Sequence, residues 1–228
     1  MRTFVISDVH GCNDAFRRAL KFIRLKKTDT LILLGDLIDR GADSKGVLDT
    51  VLLLIEHGFK VVCLKGNHEQ MFIDALYSIQ SKVNWLKNGG DMTLSSFYTS
   101  SIDKIPSLYI DLIQSFQLFY KTDDFIFVHA GLNMNLENPF MDEYSMLWMR
   151  DQESNLNETW LANRILVHGH NPTTYDQIRD SVSQRKKIIC IDNGAFIRRE
   201  GYGNICVLEL EKLICNFISV TNEGTGAY

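Results

Sequence analysis

The chain has 228 residues, of which 45% are hydrophobic, and this is enough to bury one sizeable core, so we expect a single domain over residues 1–228. A formal net charge of −4 argues against nucleic acid as a partner, because proteins that bind nucleic acid usually have a basic region on their surface. Five cysteines without a Cys-x-x-Cys pair favour a reducing cytoplasm, and no apolar run is long enough to span a membrane.

Strand and helix signals alternate in the first third of the chain. Short apolar runs at 4–6, 31–34 and 61–64 predict buried strands. Between them, one apolar stripe predicts a helix from Asn13 to Lys27 with Asn13 as its N-cap, and a second stripe predicts a helix capped by Ser44. This order predicts a parallel sheet with helices packed against it.

The pattern changes in the rest of the chain. The segment from Glu69 to about Gln117 has a mostly helical pattern, and apolar runs at 125–128, 165–167, 188–191, 205–208 and 213–220 then predict strands. We therefore expect a second sheet, partly antiparallel, packed on the first. The polar residues 221–228 are predicted to form a loose tail.

Polar residues follow five of the predicted strands, each time beside a glycine. They are Asp8 and His10, then Asp36, Asp39 and Arg40, then Asn67 and His68, then His129, and finally His168 and His170. Ligands of α/β sheets bind outside the carboxyl ends of the strands, so these side chains can converge on one point.

The residue types in this set indicate a metal site. Carboxylate, imidazole and one amide oxygen, without thiolate, suit Mn, Fe or Zn better than Ca. Six residues are too many for one catalytic ion with open positions: Asp8, His10, Asp36, Asn67, His129 and His170. Two ions bridged by Asp36 would use the full set, and such pairs stabilise both the attacking and the leaving oxygen of a displacement.

Five motifs stand in order between residues 8 and 170: Asp8-Val9-His10-Gly11, Gly35-Asp36-Leu37-Ile38-Asp39-Arg40-Gly41, Gly66-Asn67-His68-Glu69, His129-Ala130-Gly131 and Gly169-His170. Together they resemble the signature of the PPP phosphatases, and most of all that of the lambda-phage-type and bacterial serine/threonine protein phosphatases. Residues 85–90 and 147–150 are also similar to segments of that subgroup. The resemblance implies a calcineurin-like metallophosphoesterase fold, an α/β sandwich of two mixed β-sheets flanked by helices.

The resemblance also implies a role for each residue. It assigns Asp8, His10 and Asp36 to one metal ion, and Asp36, Asn67, His129 and His170 to the other. It makes His68 the general acid, Asp39 its orienting partner, and Arg40, Arg150 and Asn67 the groups that bind the substrate. The implied cofactors are two divalent ions, with Mn²⁺ expected first and Fe or Zn as alternatives. A metal-bridging hydroxide would be the nucleophile, without a phosphoenzyme intermediate.

Elementary chemistry agrees with these roles. A serine or threonine alkoxide is a poor leaving group, so a positioned acid such as histidine must protonate it. Ser7, Lys65 and Ala130 depart from the eukaryotic pattern of the family, which favours a bacterial or phage-type member. We expect a phosphoprotein or phosphopeptide as substrate.

Several alternatives stay open at this point. His168 and His170 face the same side of a regular strand, so geometry does not choose between them, and His170 is preferred by resemblance alone. Trp85 could lie beside the cleft or be buried. A dinucleoside polyphosphate hydrolase, acting on diadenosine tetraphosphate, is the main rival function, and a scaffold without catalysis is a further one. The oligomeric state is open.

Overall fold

The structure is a computed structural model that describes residues 1–220, so the predicted loose tail at 221–228 lies outside the described part. Its strands are β1 (Thr3–Ile6), β2 (Thr30–Leu33), β3 (Lys60–Cys63), β4 (Phe119–Lys121), β5 (Phe125–Val128), β6 (Ile165–His168), β7 (Ile188–Cys190), β8 (Asn204–Glu209) and β9 (Ile214–Ser219). Its α-helices are α1 (Asn13–Phe22), α2 (Ser44–Glu56), α3 (Asn67–Ala75), α4 (Ile79–Trp85), α5 (Asp91–Ser96), α6 (Ser107–Gln114), α7 (Glu143–Trp148), α8 (Glu158–Leu161) and α9 (Tyr175–Ser183). A π-helical turn, Leu86–Gly90, joins α4 to α5.

The strands form two mixed sheets. The first has the order β3-β2-β1-β8-β9, in which β1, β2 and β3 are parallel and β8 and β9 are antiparallel additions. The second has the order β4-β5-β6-β7, in which only β4 is antiparallel to its neighbour. The predicted α/β fold with two mixed sheets and flanking helices is confirmed.

The core lies on both faces of each sheet. Val5 of the first sheet and Phe127 of the second belong to one buried cluster between the sheets. The outer face of the first sheet packs on α1 and α2 through residues such as Phe16, and that of the second packs on α7 and α8 through residues such as Met146. Burial of both faces explains why the strand sequences are continuous apolar runs rather than alternating ones.

The first helix is shorter than predicted. It ends at Phe22 instead of Lys27, because Arg24 adopts a left-handed conformation (φ 49°) and the Leu25 N–H donates to the Leu20 carbonyl across the turn. This arrangement is a common way of ending a helix. The apolar stripe continues into the turn, so periodicity alone extends the helix too far.

Both predicted N-caps are displaced by one residue. Cys12 rather than Asn13 precedes α1, and the Asn13 amide instead donates to the Asp43 carboxylate. Asp43 caps α2 by accepting the Gly46 N–H at 2.8 Å, which leaves the Ser44 hydroxyl to accept the Asp39 N–H at 3.0 Å.

The expected division of the strands between the sheets is wrong for the last two: β8 and β9 add to the first sheet beside β1 and not to the second, because an apolar run does not record which sheet it joins. The helices α7, α8 and α9 also have no counterpart in the prediction. The short strand β4 has no counterpart in the prediction, because three residues at a sheet edge leave too little pattern to identify. The segment predicted to be mostly helical contains α3 to α6. Within residues 1–220, every helix is too short or too polar to cross a bilayer.

Candidate active site

Backbone hydrogen bonds join the loop after β1 to the loop after β2, and the loop after β5 to the loop after β6. The N–H groups of Val9 and His10 both donate to the Asp36 carbonyl, at 3.0 and 2.8 Å, and the Gly169 N–H donates to the His129 carbonyl at 2.7 Å. Because the parallel strands end at the same edge of their sheets, these bonds gather the polar side chains that follow them.

Three of the predicted ligand atoms meet in one buried group. The Asn67 Oδ1 lies 3.0 Å from the His129 Nε2 and 2.9 Å from the His170 Nδ1, and the two imidazole nitrogens are 3.2 Å apart. All three residues are buried. The His129 Nδ1 lies 3.0 Å from the Leu34 carbonyl, so it carries the proton and leaves the Nε2 lone pair facing the group.

Asp36 stands between this group and a second one. Its Oδ1 lies 3.5 Å from the His129 Nε2, and its Oδ2 lies 3.5 Å from the His10 Nε2. The His10 Nδ1 lies 3.0 Å from the Ile38 carbonyl, which again fixes the proton on the far nitrogen and turns the Nε2 lone pair inward. One carboxylate therefore presents one oxygen to each group, as a bridging ligand would.

Asp8 borders this site from the side. Its carboxylate accepts the His170 backbone N–H at 3.2 Å and a hydrogen bond from the Ser7 hydroxyl. It lies outside the two tight groups of potential ligand atoms in the described residues, which are His10, Asp36 and His68, and Asp36, His129 and His170.

Burial sets the charges of these groups. It lowers the pKa of His10 well below its ordinary value, with the charge of Arg40 adding to the effect, and lowers that of His170 to about 2. Burial also raises the pKa of Asp36 to about 6, against the opposing charge of His68. The imidazoles of His10 and His170 are therefore neutral, and a cation here would stabilise the buried carboxylate.

The donor set fits a pair of divalent ions. Among residues 1–220, the His68 Nε2 and the His170 Nε2 are the buried side-chain nitrogen or oxygen atoms without a hydrogen-bond partner. A buried polar atom without a partner is costly, and a bound ion or its water would supply one. Neutral imidazoles, carboxylates and one amide oxygen suit Mn, Fe or Zn.

His68 and Asp39 form a dyad beside the ligand groups. The His68 Nδ1 lies 2.7 Å from the Asp39 Oδ2, and its Nε2 lies 4.0 Å from the Asp36 Oδ2. Burial raises the pKa of Asp39 to about 7, although hydrogen bonds from Thr93 and Trp85 oppose the rise. Burial also lowers the pKa of His68.

Two arginines reach the site from different sides. The Arg40 Nη1 donates to the His10 Nε2 at 2.7 Å, and its guanidinium lies over the Phe196 ring at 4.3 Å. Arg150 is exposed and donates to the Asn171 side chain at 3.3 Å, next to His170. Both can present planar donor pairs to an anion.

Two residues that support the site, Glu69 and Trp85, had no role assigned from the sequence, although a place for Trp85 beside the cleft or in the core was left open. Glu69 is buried and accepts three backbone N–H groups, those of Asp36, Leu37 and Gly66. Its place in the Gly66–Glu69 motif was a signal, but no role followed from it. Trp85 is fully buried, and its indole N–H contacts both oxygens of Asp39 at 3.0 Å.

The two late histidines lie in different surroundings. His170 lies in a ligand group, whereas the His168 Nδ1 lies 3.0 Å from the Gly169 carbonyl and His168 is in neither group. Burial lowers the pKa of His168 to about 4, so the ring is neutral.

Left-handed backbone is concentrated at the site. It occurs at His10, Asp36, Asp39, Arg40 and His170, with φ between 45° and 71°. Such conformations cost on the order of 1 kcal/mol or more at each non-glycine residue, and they persist where surrounding contacts impose them.

Comparison with known proteins gives one family and two kinds of relative. The calcineurin-like phosphoesterase family matches residues 1–196. Serine/threonine-protein phosphatase 1 of Salmonella typhimurium is 46% identical over 89 residues, which span 39% of this chain and 38% of that protein. The symmetrical bis(5'-nucleosyl)-tetraphosphatase of Nitrosomonas europaea is 33% identical over 136 residues, which span 59% of this chain and 46% of that protein. The chain thus matches less than half the length of either relative.

A solved structure agrees with the fold. The protein serine/threonine phosphatase from Saccharomyces cerevisiae superimposes with a TM-score of 0.64 over 98% of this chain and 81% of that one, at 14% identity. At that identity the similarity concerns the fold.

Proposed function

The chain belongs to the calcineurin-like phosphoesterase family, and from that premise we propose that it is a two-metal-dependent phosphomonoesterase that removes phosphate from phosphoserine and phosphothreonine in proteins. The observation that carries the proposal is the meeting of two ligand groups on the two oxygens of Asp36, with the His68–Asp39 dyad beside them.

In this proposal the ligands are divided as follows: Asp8, His10 and Asp36 hold one ion, and Asp36, Asn67, His129 and His170 hold the other. We expect Mn²⁺ to serve best, with Fe or Zn as alternatives. When bound, the ions would polarise the phosphoryl oxygens and lower the pKa of water, so that a nucleophile is available near neutral pH.

His68 acts as the general acid. When it is protonated, its Nδ1–H is held by Asp39 at 2.7 Å, and its Nε2–H has no hydrogen-bond partner among the described residues. It can therefore give that proton to the departing serine or threonine oxygen, which would otherwise leave as an alkoxide. Asp39 fixes the ring orientation and supports the imidazolium charge.

Arg40 and Arg150 orient the phosphate. The guanidinium of Arg40 is held against His10 and Phe196, and that of Arg150 is exposed and contacts Asn171, next to His170. Forked donors of this kind hold phosphate oxygens in pairs, which positions the ester bond toward His68. Asn67 also lies close enough to the ligand groups to take part in binding the phosphate.

Hydrolysis of dinucleoside polyphosphates is the second function that we consider. It is supported by the 33% identity to the tetraphosphatase of Nitrosomonas europaea over a longer segment than the match to the Salmonella typhimurium phosphatase. We prefer the protein phosphatase because the higher identity, 46%, is to a serine/threonine phosphatase.

A direct comparison of substrates tests this choice. Chelator-stripped chain is reloaded with Mn²⁺, and kcat/KM is measured on a phosphoserine peptide and on diadenosine tetraphosphate. The proposal requires the peptide to be the better substrate. If kcat/KM is higher for diadenosine tetraphosphate by several orders of magnitude, the second function replaces the proposed one. The His68→Asn variant, measured on both substrates, shows whether the two reactions use the same general acid.

A further inference from the structure

The segment from Trp85 to Thr93 lies against Asp39 and Arg40. It comprises the end of α4, the π-helical turn Leu86–Gly90 and the first residues of α5. None of its side chains is a metal ligand or a phosphate-binding group in the proposed mechanism. Its contacts with Asp39 and Arg40 are nonetheless numerous and specific.

Two side chains of this segment donate to the Asp39 carboxylate. The Trp85 Nε1–H lies 3.0 Å from each oxygen, and the Thr93 hydroxyl donates to Oδ1 at 2.7 Å. The same hydroxyl oxygen accepts the Asp39 backbone N–H at 3.0 Å. The His68 Nδ1 contacts the Asp39 Oδ2 at 2.7 Å. The carboxylate therefore accepts hydrogen bonds on both oxygens, and one orientation of the group satisfies all the donors.

The backbone of the same segment holds the neighbouring residue. The Gly89 carbonyl accepts the Arg40 N–H at 3.2 Å. A Cβ on Gly89 would stand 2.8 Å from the Arg40 nitrogen, and one on Gly90 would stand 2.3 Å from the Trp85 ring. Two consecutive glycines therefore let the π-helical turn lie against both the arginine and the indole.

We propose that Trp85 and Thr93 are positioning residues that aim the Asp39 carboxylate at His68. Packing alone would not require this arrangement, because an apolar aromatic side chain such as phenylalanine could pack in the same surroundings, with part of the site left empty, and would donate no hydrogen bond. The inference rests on the proposed function, since it gives these residues a part in general-acid catalysis.

Leaving-group dependence distinguishes positioning from packing. General-acid assistance matters most for a poor leaving group such as a serine alkoxide and least for p-nitrophenolate. We expect Trp85→Phe to lower kcat on a phosphoserine peptide about tenfold or more, since a lost hydrogen bond to a charged group has about that effect. The kcat on p-nitrophenyl phosphate should fall about threefold or less, and KM should stay unchanged for both esters.

Two further variants serve as matched controls. Thr93→Val removes the hydroxyl at nearly constant shape and should lower kcat selectively on the peptide, whereas Thr93→Ser keeps the hydroxyl and should restore it. Trp160→Phe makes the same chemical change as Trp85→Phe in a tryptophan that packs on the second sheet with Phe140 and Arg164. It should leave both rates as in the wild type.

An NMR measurement tests the contact without turnover. The chain contains three tryptophans, so the metal-free protein should show three indole N–H signals, and the Trp85→Phe and Trp160→Phe variants assign two of them. Asp39→Asn should shift the Trp85 signal and leave the Trp160 signal in place. The Trp85 indole proton should also exchange slowly with D₂O.

The outcomes separate the two proposals. Equal losses of kcat on both esters in Trp85→Phe, or a Thr93→Ser variant as slow as Thr93→Val, would overturn the positioning role. An unchanged chemical shift of the Trp85 indole N–H in the Asp39→Asn variant would also overturn the positioning role. If the wild-type chain hydrolyses neither ester with any divalent metal, the proposed function fails, and the indole signals alone then decide whether Trp85 holds Asp39.

Discussion

Replacing Glu69 by glutamine should weaken both the fold and metal binding, although Glu69 is not a proposed ligand. Its carboxylate accepts the N–H groups of Asp36 and Gly66 on Oε2, each at 2.8 Å, and that of Leu37 on Oε1 at 2.7 Å. Glutamine has one acceptor oxygen and one amide group. It can keep the pair of bonds, but its NH₂ must then face the Leu37 N–H, which is left without a partner.

The size of the effect follows from that unpaired donor. A buried N–H without a partner costs about 1–3 kcal/mol. The other two bonds weaken when the acceptor loses its charge, but relief from burying that charge offsets the loss. Burial raises the pKa of Glu69 to about 7, so the comparison is made at pH 8, where the wild-type carboxylate is ionised. The melting temperature should fall by roughly 2–12 °C for a chain of this size.

Metal binding provides the second readout. The bonds from Glu69 hold the backbone of the Asp36 loop, and loss of a partner that supports a ligand typically lowers metal affinity about 10–100-fold. Urea unfolding of the metal-free chain and calorimetric titration with Mn²⁺ measure the two effects. Glu211→Gln is the control, because Glu211 also accepts a backbone N–H, that of Thr3 at 2.9 Å, but in an exposed position. Equal urea midpoints and equal Mn²⁺ affinity for Glu69→Gln and the wild type would refute the reasoning.

Three further predictions follow from other contacts. Gly66→Ala places a Cβ 2.2 Å from the Asp36 Oδ1, so we expect about 1–3 kcal/mol of destabilisation and loss of Mn²⁺ binding in calorimetry, whereas Gly58→Ala, with open space around it, should bind Mn²⁺ normally. Asn67→Leu removes the oxygen shared by His129 and His170 and should lower the affinity for one Mn²⁺ about tenfold or more, and an unchanged titration would count against Asn67 as a ligand. Burial alone would raise the pKa of Asp29, but hydrogen bonds from Arg2 and the Lys26 N–H outweigh it and hold the pKa below its ordinary value. The Arg2–Asp29 pair therefore stabilises the fold at pH values above the ordinary pKa of aspartate, and this stabilisation is lost as the pH falls through the lowered pKa. Arg2→Leu should therefore lower the urea midpoint at pH 7 and much less at pH 3, and a gap independent of pH would contradict this.

The position of the site could be predicted because parallel strands end at one edge of a sheet. Asp36 and Asn67 each follow a strand within a few residues, so their approach required only the strand order. The different surroundings of His168 and His170 depend on the three-dimensional path of the loop, which the spacing of the two residues does not give. At Arg24 the backbone turns left-handed while the apolar stripe continues, and a periodic pattern carries no sign of such a turn.

The hydrogen bonds by which Trp85 and Glu69 support the site could not be predicted from the sequence, for a different reason. Trp85 lies 46 positions from Asp39 in the chain, and an apolar aromatic residue in a helix is equally compatible with packing alone. The three N–H groups that Glu69 accepts come from two separate loops, a fact that no spacing records. Long-range hydrogen bonds of this kind depend on tertiary packing, which local sequence patterns do not encode.

The central claim is that Asp36 joins two metal ions in a site that hydrolyses phosphate monoesters. The most direct test is the turnover of p-nitrophenyl phosphate by chelator-stripped chain as Mn²⁺ is added back, beside the Asp36→Asn variant. We predict turnover that rises with Mn²⁺ in the wild type and is lost in Asp36→Asn. Absence of turnover with Mn²⁺, Fe²⁺ and Zn²⁺ alike, or undiminished turnover in Asp36→Asn, would contradict the claim.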